Sequence, residues 1–115
     1  MNGFLAVALG GAIGACLRHG AGLLAARHLA PDLIKIDVEG AEVRVLQGAC
    51  EIMRRYRPVV FLSVHPDRIE AMGSSVEELG ALIESLGYRA FEIAGAPVST
   101  FHFAEYVLRP GDASV

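Results

Sequence analysis

The sequence predicts an α/β fold: a sheet of mainly parallel strands ending in a C-terminal antiparallel hairpin, with an apolar helix ahead of it. Three observations carry that prediction. Short β-rich apolar runs, LIKID (33–37) and VVFLSVH (59–65), alternate with segments of helical periodicity, as strand–helix–strand units do. The tail holds two more strand-like runs, YRAFEI and FAEYVLR, on either side of a Gly-Ala-Pro turn. Residues 1–29 contain no acid, and all thirteen acidic residues follow Pro31, so composition divides the chain into an apolar unit, 1–30, and an α/β unit, 31–115.

With 115 residues the chain has room for one ordinary domain, yet 53% of it is hydrophobic and its mean hydropathy is +0.44, high for a soluble protein. Ten basic residues against thirteen acidic ones give a formal charge of −3. No global basic field exists to recruit nucleic acid, which excludes that class of partner. Cys16 and Cys50 lie in different segments with no CxxC spacing, so they indicate neither a zinc site nor a disulfide framework. His19, His28, His65 and His102 are scattered and form no metal-ligand pattern.

The N-terminal helix is read from an apolar run over residues 3–17, a break at Arg18-His19, and a second apolar run to Ala26. A membrane-spanning helix needs about 20 mostly apolar residues, so residues 3–26 predict membrane association, and the protein is expected to be either cytoplasmic or membrane-associated. A secretory signal fits less well, because no positive side chain precedes the apolar run and no small-x-small cleavage site closes it. Gly10, Gly11 and Gly14 after FLAVAL mimic a phosphate-cradling loop, but the GxGxxG spacing is not met. Close helix packing explains the same small residues more simply.

LIKID is expected to be a buried parallel strand ending near Val38. A helix follows over residues 41–56, with Val45, Ala49, Ile52, Met53 and Tyr56 on one face and Arg54, Arg55 and Arg57 at its cation-favouring end, until Pro58 stops it. VVFLSVH is the second buried strand, terminated by His65-Pro66. Ser75-Val76-Glu77-Glu78 is a capping box opening a helix that turns Val76, Leu79, Leu82, Ile83 and Leu86 inward, and Gly87 closes it. The last two strands form the hairpin, with Glu92 and His102 at surface or edge positions.

LIKIDVEGAEVRVLQGA, RPVVFLSVHP and SVEELGALIESLGYRAFEI together resemble the C-terminal half of FkbM-type methyltransferases, a branch of the class I S-adenosylmethionine-dependent enzymes. The likeness covers residues 32–110. It implies a partial Rossmann-like sheet in which IKID is the fourth strand, VVFLSV the fifth, and the hairpin the sixth and seventh, the seventh being antiparallel and inserted between five and six. It also implies S-adenosylmethionine as cofactor, methyl transfer as activity, and a small-molecule hydroxyl acceptor, a sugar or a natural product, as partner. Carboxylates at the carboxyl end of a parallel strand sit where open α/β sheets place ligands.

Methyl transfer to a hydroxyl needs a base and in-line positioning, so Asp37, Glu39 and His65 are the candidate catalytic residues. Asp37 or Glu39 would supply the base, or the pair would hold a metal or orient a polyol. Against this, Asp37 would merely fix a loop, Glu39 would N-cap the next helix, and His65 would be a satisfied His-Pro turn. Gly40 is read as serving tight backbone geometry. No metal is assigned.

Only about thirty residues precede Asp32, the length of one βαβ unit. The cofactor half of such an enzyme, with its glycine-rich turn and ribose-binding acid, is therefore expected to be missing and donor binding by this chain alone to be negligible. The LIKID edge, left without its usual neighbour, is expected to be exposed and to promote self-association. Residues 1–29 resemble the first transmembrane helix of CrcB-type fluoride channels, whose GG-x-x-G-A-x-x-R pattern is matched by Gly10, Gly11, Gly14, Ala15 and Arg18. The alternative to a methyltransferase-like protein is thus a channel fragment or small membrane protein without catalytic activity. A natural fusion, a misread gene or an artificial joint would each produce such a chain.

Overall fold

Period-two burial organises the sheet. Strand β2, Pro31–Asp37, and strand β3, Val59–Val64, turn Ile34, Ile36, Val60, Leu62 and Val64 fully inward. The computed structural model describes the backbone of residues 3–8 and, in full, residues 31–111. The other elements are β1 Gly3–Ala8, α1 Glu42–Gly48, α2 Cys50–Tyr56, α3 Pro66–Ala71, α4 Val76–Ser85, β4 Tyr88–Glu92, β5 Pro97–Val98 and β6 Ala104–Pro110.

The strands lie in the order β1-β2-β3-β6-β4-β5. Pairing is parallel across β1, β2 and β3. It is antiparallel at β3/β6, β6/β4 and β4/β5. The expected α/β class holds, and β6 is antiparallel and lies between β3 and β4 as the resemblance implied; because that insertion reverses the pairing on both of its sides, the sheet is mixed rather than mainly parallel. The final hairpin also differs. After Glu92 the chain turns into the two-residue β5 at the edge before returning as β6, so β4 carries a strand on each side.

Residues 3–8 were expected to be helical and instead form β1, in register with β2 from Gly3 opposite Pro31 to Ala8 opposite Asp37. The reason is the open row of main-chain groups on β2, which an extended neighbour satisfies and a helix cannot. β2 is accordingly not an edge strand, which corrects the expectation of an exposed LIKID edge. The rest of the predicted N-terminal helix lies outside the described residues. Among those described, no helix is long and apolar enough to cross a membrane.

The inward face of β2, β3, β4 and β6 joins Val45, Leu46, Ile52, Met53, Ile69, Leu79, Ile83 and Leu86 of the four helices in one core. The opposite face follows the alternate register. Lys35, Phe61, Val107 and Phe91 make a cross-strand row there, and Phe61 remains 37% exposed.

The single helix expected over residues 41–56 is split at Ala49, whose φ of −96° and ψ of 2° flatten the turn after the poor helix former Gly48. Hydrogen bonds still run through it, from the Ala49 N–H to the Val45 carbonyl and from the Met53 N–H to the Ala49 carbonyl, each 2.9 Å. Where the His-Pro turn was expected, Pro66 opens the short helix α3 at a position whose N–H would be unsatisfied anyway. The cap of α4 is as expected. Ser75 Oγ accepts the Glu78 N–H at 3.1 Å, and Gly87, at φ +76°, ends the helix.

Arg57 ties the two longer helical units together. At φ 54° it terminates α2, while its guanidinium donates to the carbonyls of Leu86 and Gly87, each at 2.8 Å, and lies 4.9 Å over the Tyr88 ring. The Tyr88 hydroxyl donates to the Pro58 carbonyl at 2.6 Å. Burial pushes its pKa up to about 12, with the Arg57 charge opposing that shift.

Two outcomes follow from this packing. Leu62→Ala, which empties a fully buried site between strands and helices, is expected to cost about 2–5 kcal/mol in urea unfolding. Tyr88 is more weakly acidic folded than unfolded, so its contribution to stability is complete below pH 10 and is lost as pH rises towards about 12. Absorbance titration should show one late-ionising tyrosine, absent in Tyr88→Phe.

Candidate functional site

The polar cleft lies where the carboxyl ends of parallel strands meet the start of an antiparallel one. Asp37 ends β2, Ser63 and His65 lie at the end of β3, and Phe103, Ala104 and Glu105 open β6. Together these residues line a cleft of about 420 Å³. Register explains the convergence: β3 and β6 pair Ser63 with Glu105 and Val64 with Ala104. Because β6 runs backwards, its beginning reaches the strand ends where open α/β sheets hold ligands.

Of the three residues predicted from the sequence, the structure brings two together. His65 Nε2 is 3.9 Å from Asp37 Oδ1, and the two side chains are 17% and 47% exposed. The separation is too long for a direct hydrogen bond. Glu39 does not join them. It is exposed and occupies the left-handed region at φ 48°, outside the cleft. Neither does it cap the next helix, whose N-cap is Ala41 with no side-chain cap.

The turn that turns Glu39 outward is fixed by Gly40. This residue has φ +118°, and a Cβ on it would lie 2.8 Å from the Arg68 carbonyl oxygen. The expectation of tight backbone geometry therefore holds at Gly40.

Sequence reasoning missed Glu42, which is fully buried at the start of α1. Its Oε1 accepts the Gly40 N–H at 2.5 Å. Its Oε2 accepts the His65 backbone N–H at 2.7 Å and lies 3.2 Å from His65 Nδ1. A buried carboxylate is tolerable only when hydrogen bonds replace its water, and these contacts provide them. The signal available in the sequence was an acid just after Gly-Ala at a helix start, where free N–H groups collect.

Phe103 was missed as well. It is 78% exposed, with its ring 5.2 Å from that of His65. Glu105 makes a 3.8 Å ion pair with Lys35 on exposed side chains, a contact of little energetic weight. Only the antiparallel return of β6 places these two residues here, and no local motif announces it.

Among the described residues no three His, Cys, Asp or Glu side chains gather as a metal site. A larger hollow of about 810 Å³ lies between α4 and the β4–β5 edge, lined by Val76, Ile83, Tyr88, Val98 and Phe101 among others. Its lining includes Glu77 and Glu84 but no His, whereas the smaller cleft brings a His and a carboxylate face to face.

Residues 22–90 match the family model described as the methyltransferase FkbM domain. A stretch of 29 residues is 83% identical to the fluoride-specific ion channel FluC of Hyphomonas neptunium. It covers 25% of this chain and 23% of the channel, so the chain spans less than a quarter of that relative. No solved structure matches the chain.

Gly40→Ala is expected to lower stability by about 1–3 kcal/mol, since the added carbon meets backbone rather than a movable side chain. Urea denaturation of the purified variant checks this.

Proposed function

Because the chain belongs to the FkbM methyltransferase domain family, its match covering more than half of the residues, we propose that the cleft at the ends of β2 and β3 is the acceptor side of an S-adenosylmethionine-dependent O-methyltransferase. The observation carrying this reading is the Asp37–His65 pair, two proton-accepting groups 3.9 Å apart at a strand end. Its acceptor is a small hydroxylated molecule, a sugar or a natural product.

The donor set suits the family's cofactor. The cleft wall contains Asp37, an exposed aromatic ring and Glu105, which shares its charge with Lys35 at 3.8 Å. Carboxylates and aromatic faces attract a sulfonium cation. Bound S-adenosylmethionine supplies an electrophilic methyl group. This chain's own residues do the rest: Asp37 and His65 receive the acceptor hydroxyl and take its proton, Phe103 offers an apolar face at the rim, and Glu42 holds His65 in place. Asp37 and His65 retain their proposed roles, whereas Glu39, exposed on its turn, is left out.

A second reading concerns residues 1–30 alone. The FluC likeness favours a membrane-associated segment there, in competition with the pairing of residues 3–8 to β2. Extraction with and without detergent tests it. Recovery of the whole chain in the detergent-free fraction would remove the membrane reading and leave the methyltransferase reading standing.

Calorimetric titration with S-adenosylhomocysteine tests the expectation that this chain alone binds donor negligibly: no heat upholds it, and saturable binding would mean that the cleft alone suffices. In any preparation that turns over, Asp37→Asn and His65→Gln are expected to lower methyl transfer about 100-fold or more with little change in donor binding. The same turnover in both variants as in the unmodified protein would refute the assignment.

A further inference from the structure

The contacts around His65 specify more than its position. Glu42 Oε2 already accepts the His65 main-chain N–H at 2.7 Å and faces the ring Nδ1 at 3.2 Å. An ionised carboxylate has no proton to give, so a hydrogen bond at that distance requires the proton to sit on Nδ1. In a neutral imidazole the other nitrogen then carries a lone pair.

That nitrogen, Nε2, is the one facing Asp37 across 3.9 Å. The 3.9 Å separation, too long for a direct hydrogen bond, fits that pattern, and the contact behind the ring carries it.

We infer that Glu42 is a positioning residue that holds the proton of His65 on Nδ1, so that Nε2 and Asp37 Oδ1 form a two-acceptor gap selective for a hydrogen-bond donor such as an alcohol hydroxyl. The inference deepens the methyltransferase reading and rests on it for the role of the alcohol. The placement of the proton rests on geometry alone. A hydroxyl entering the gap offers one proton to two acceptors, whereas an ether or ketone oxygen brings none and meets two lone pairs. The gap therefore sorts free acceptors from molecules already methylated at that oxygen.

Glu42 also explains why α1 begins with a fully buried acid. An apolar residue of similar length would fill the space, yet would leave the Gly40 and His65 N–H groups without partners. It would equally leave the ring free to adopt the tautomer with the proton on Nε2.

The test is long-range proton–nitrogen correlation NMR on the ¹⁵N-labelled full chain, at a pH about two units above the ordinary histidine range so that imidazoles are neutral. The His65 signals are assigned by their loss in His65→Gln. In the unmodified protein His65 is expected to carry its proton on Nδ1. In Glu42→Leu nothing accepts from Nδ1, so the proton is expected to move to Nε2, whereas Glu42→Gln can still present its amide oxygen to the His65 N–H and Nδ1.

A proton on Nε2 in the unmodified protein overturns the inference, and that spectrum is decisive even if Glu42→Leu fails to fold. An unchanged tautomer in a folded Glu42→Leu also overturns it. Absence of methyl transfer, with the tautomer as expected, counts against the enzyme reading and leaves the positioning by Glu42 intact.

Discussion

A carboxylate with no exposed surface has to be surrounded by hydrogen-bond donors, and in this protein that requirement falls on Glu42. Its two oxygens reach the Gly40 amide on the turn after β2 and the amide and ring of His65 at the end of β3. One side chain therefore holds the outlets of two parallel strands at a fixed separation. The turn that carries Glu39 and Gly40 and the imidazole that faces the cleft both meet in that single group. If the acid were removed, the two strands would remain, but the loops that carry the chemistry would lose their common anchor.

The sheet works on the same division between scaffold and site. Its inward face is apolar without interruption from β2 to β4 and packs against all four described helices. The residues that line the cleft fall at the ends of the strands or on the alternate register, where the core makes no demand on them. This is why an aspartate, a serine and a glutamate can sit within a few residues of fully buried isoleucine, leucine and valine. Rigid positions with free side-chain choice result, which is the arrangement a binding site needs.

What could be read from residues alone followed the strength of the local signal. β2 and β3 were legible because short β-branched runs ended in turn residues, and α4 because Ser75 and Gly87 mark its two ends by mechanisms that operate within one turn. The placement of Asp37 and His65 at neighbouring strand ends was legible because each follows a short apolar strand run directly. Glu42 was not, because its burial depends on His65, twenty-three residues away. The strand at residues 3–8 was read as helix, since alternation is weak in a run of small apolar residues and the deciding factor is the free edge of β2. The insertion of β6 between β3 and β4 was legible only through the family resemblance, because where a strand enters the sheet is a property of the whole topology and no residue of β6 states it.

The backward course of β6 has a consequence for how such a protein can diversify. Its first residues form one wall of the cleft, and they are reached through the exposed connection after β4, which includes Ile93 and ends near Phe103. The exposed positions of that connection, residues 92–97, 99 and 100, can vary without disturbing Asp37, His65 or Glu42, whereas Val98 and Phe101 pack on the core and hold the segment in place. Anchorage and adjustable surface are thereby assigned to alternating positions of one short stretch of chain.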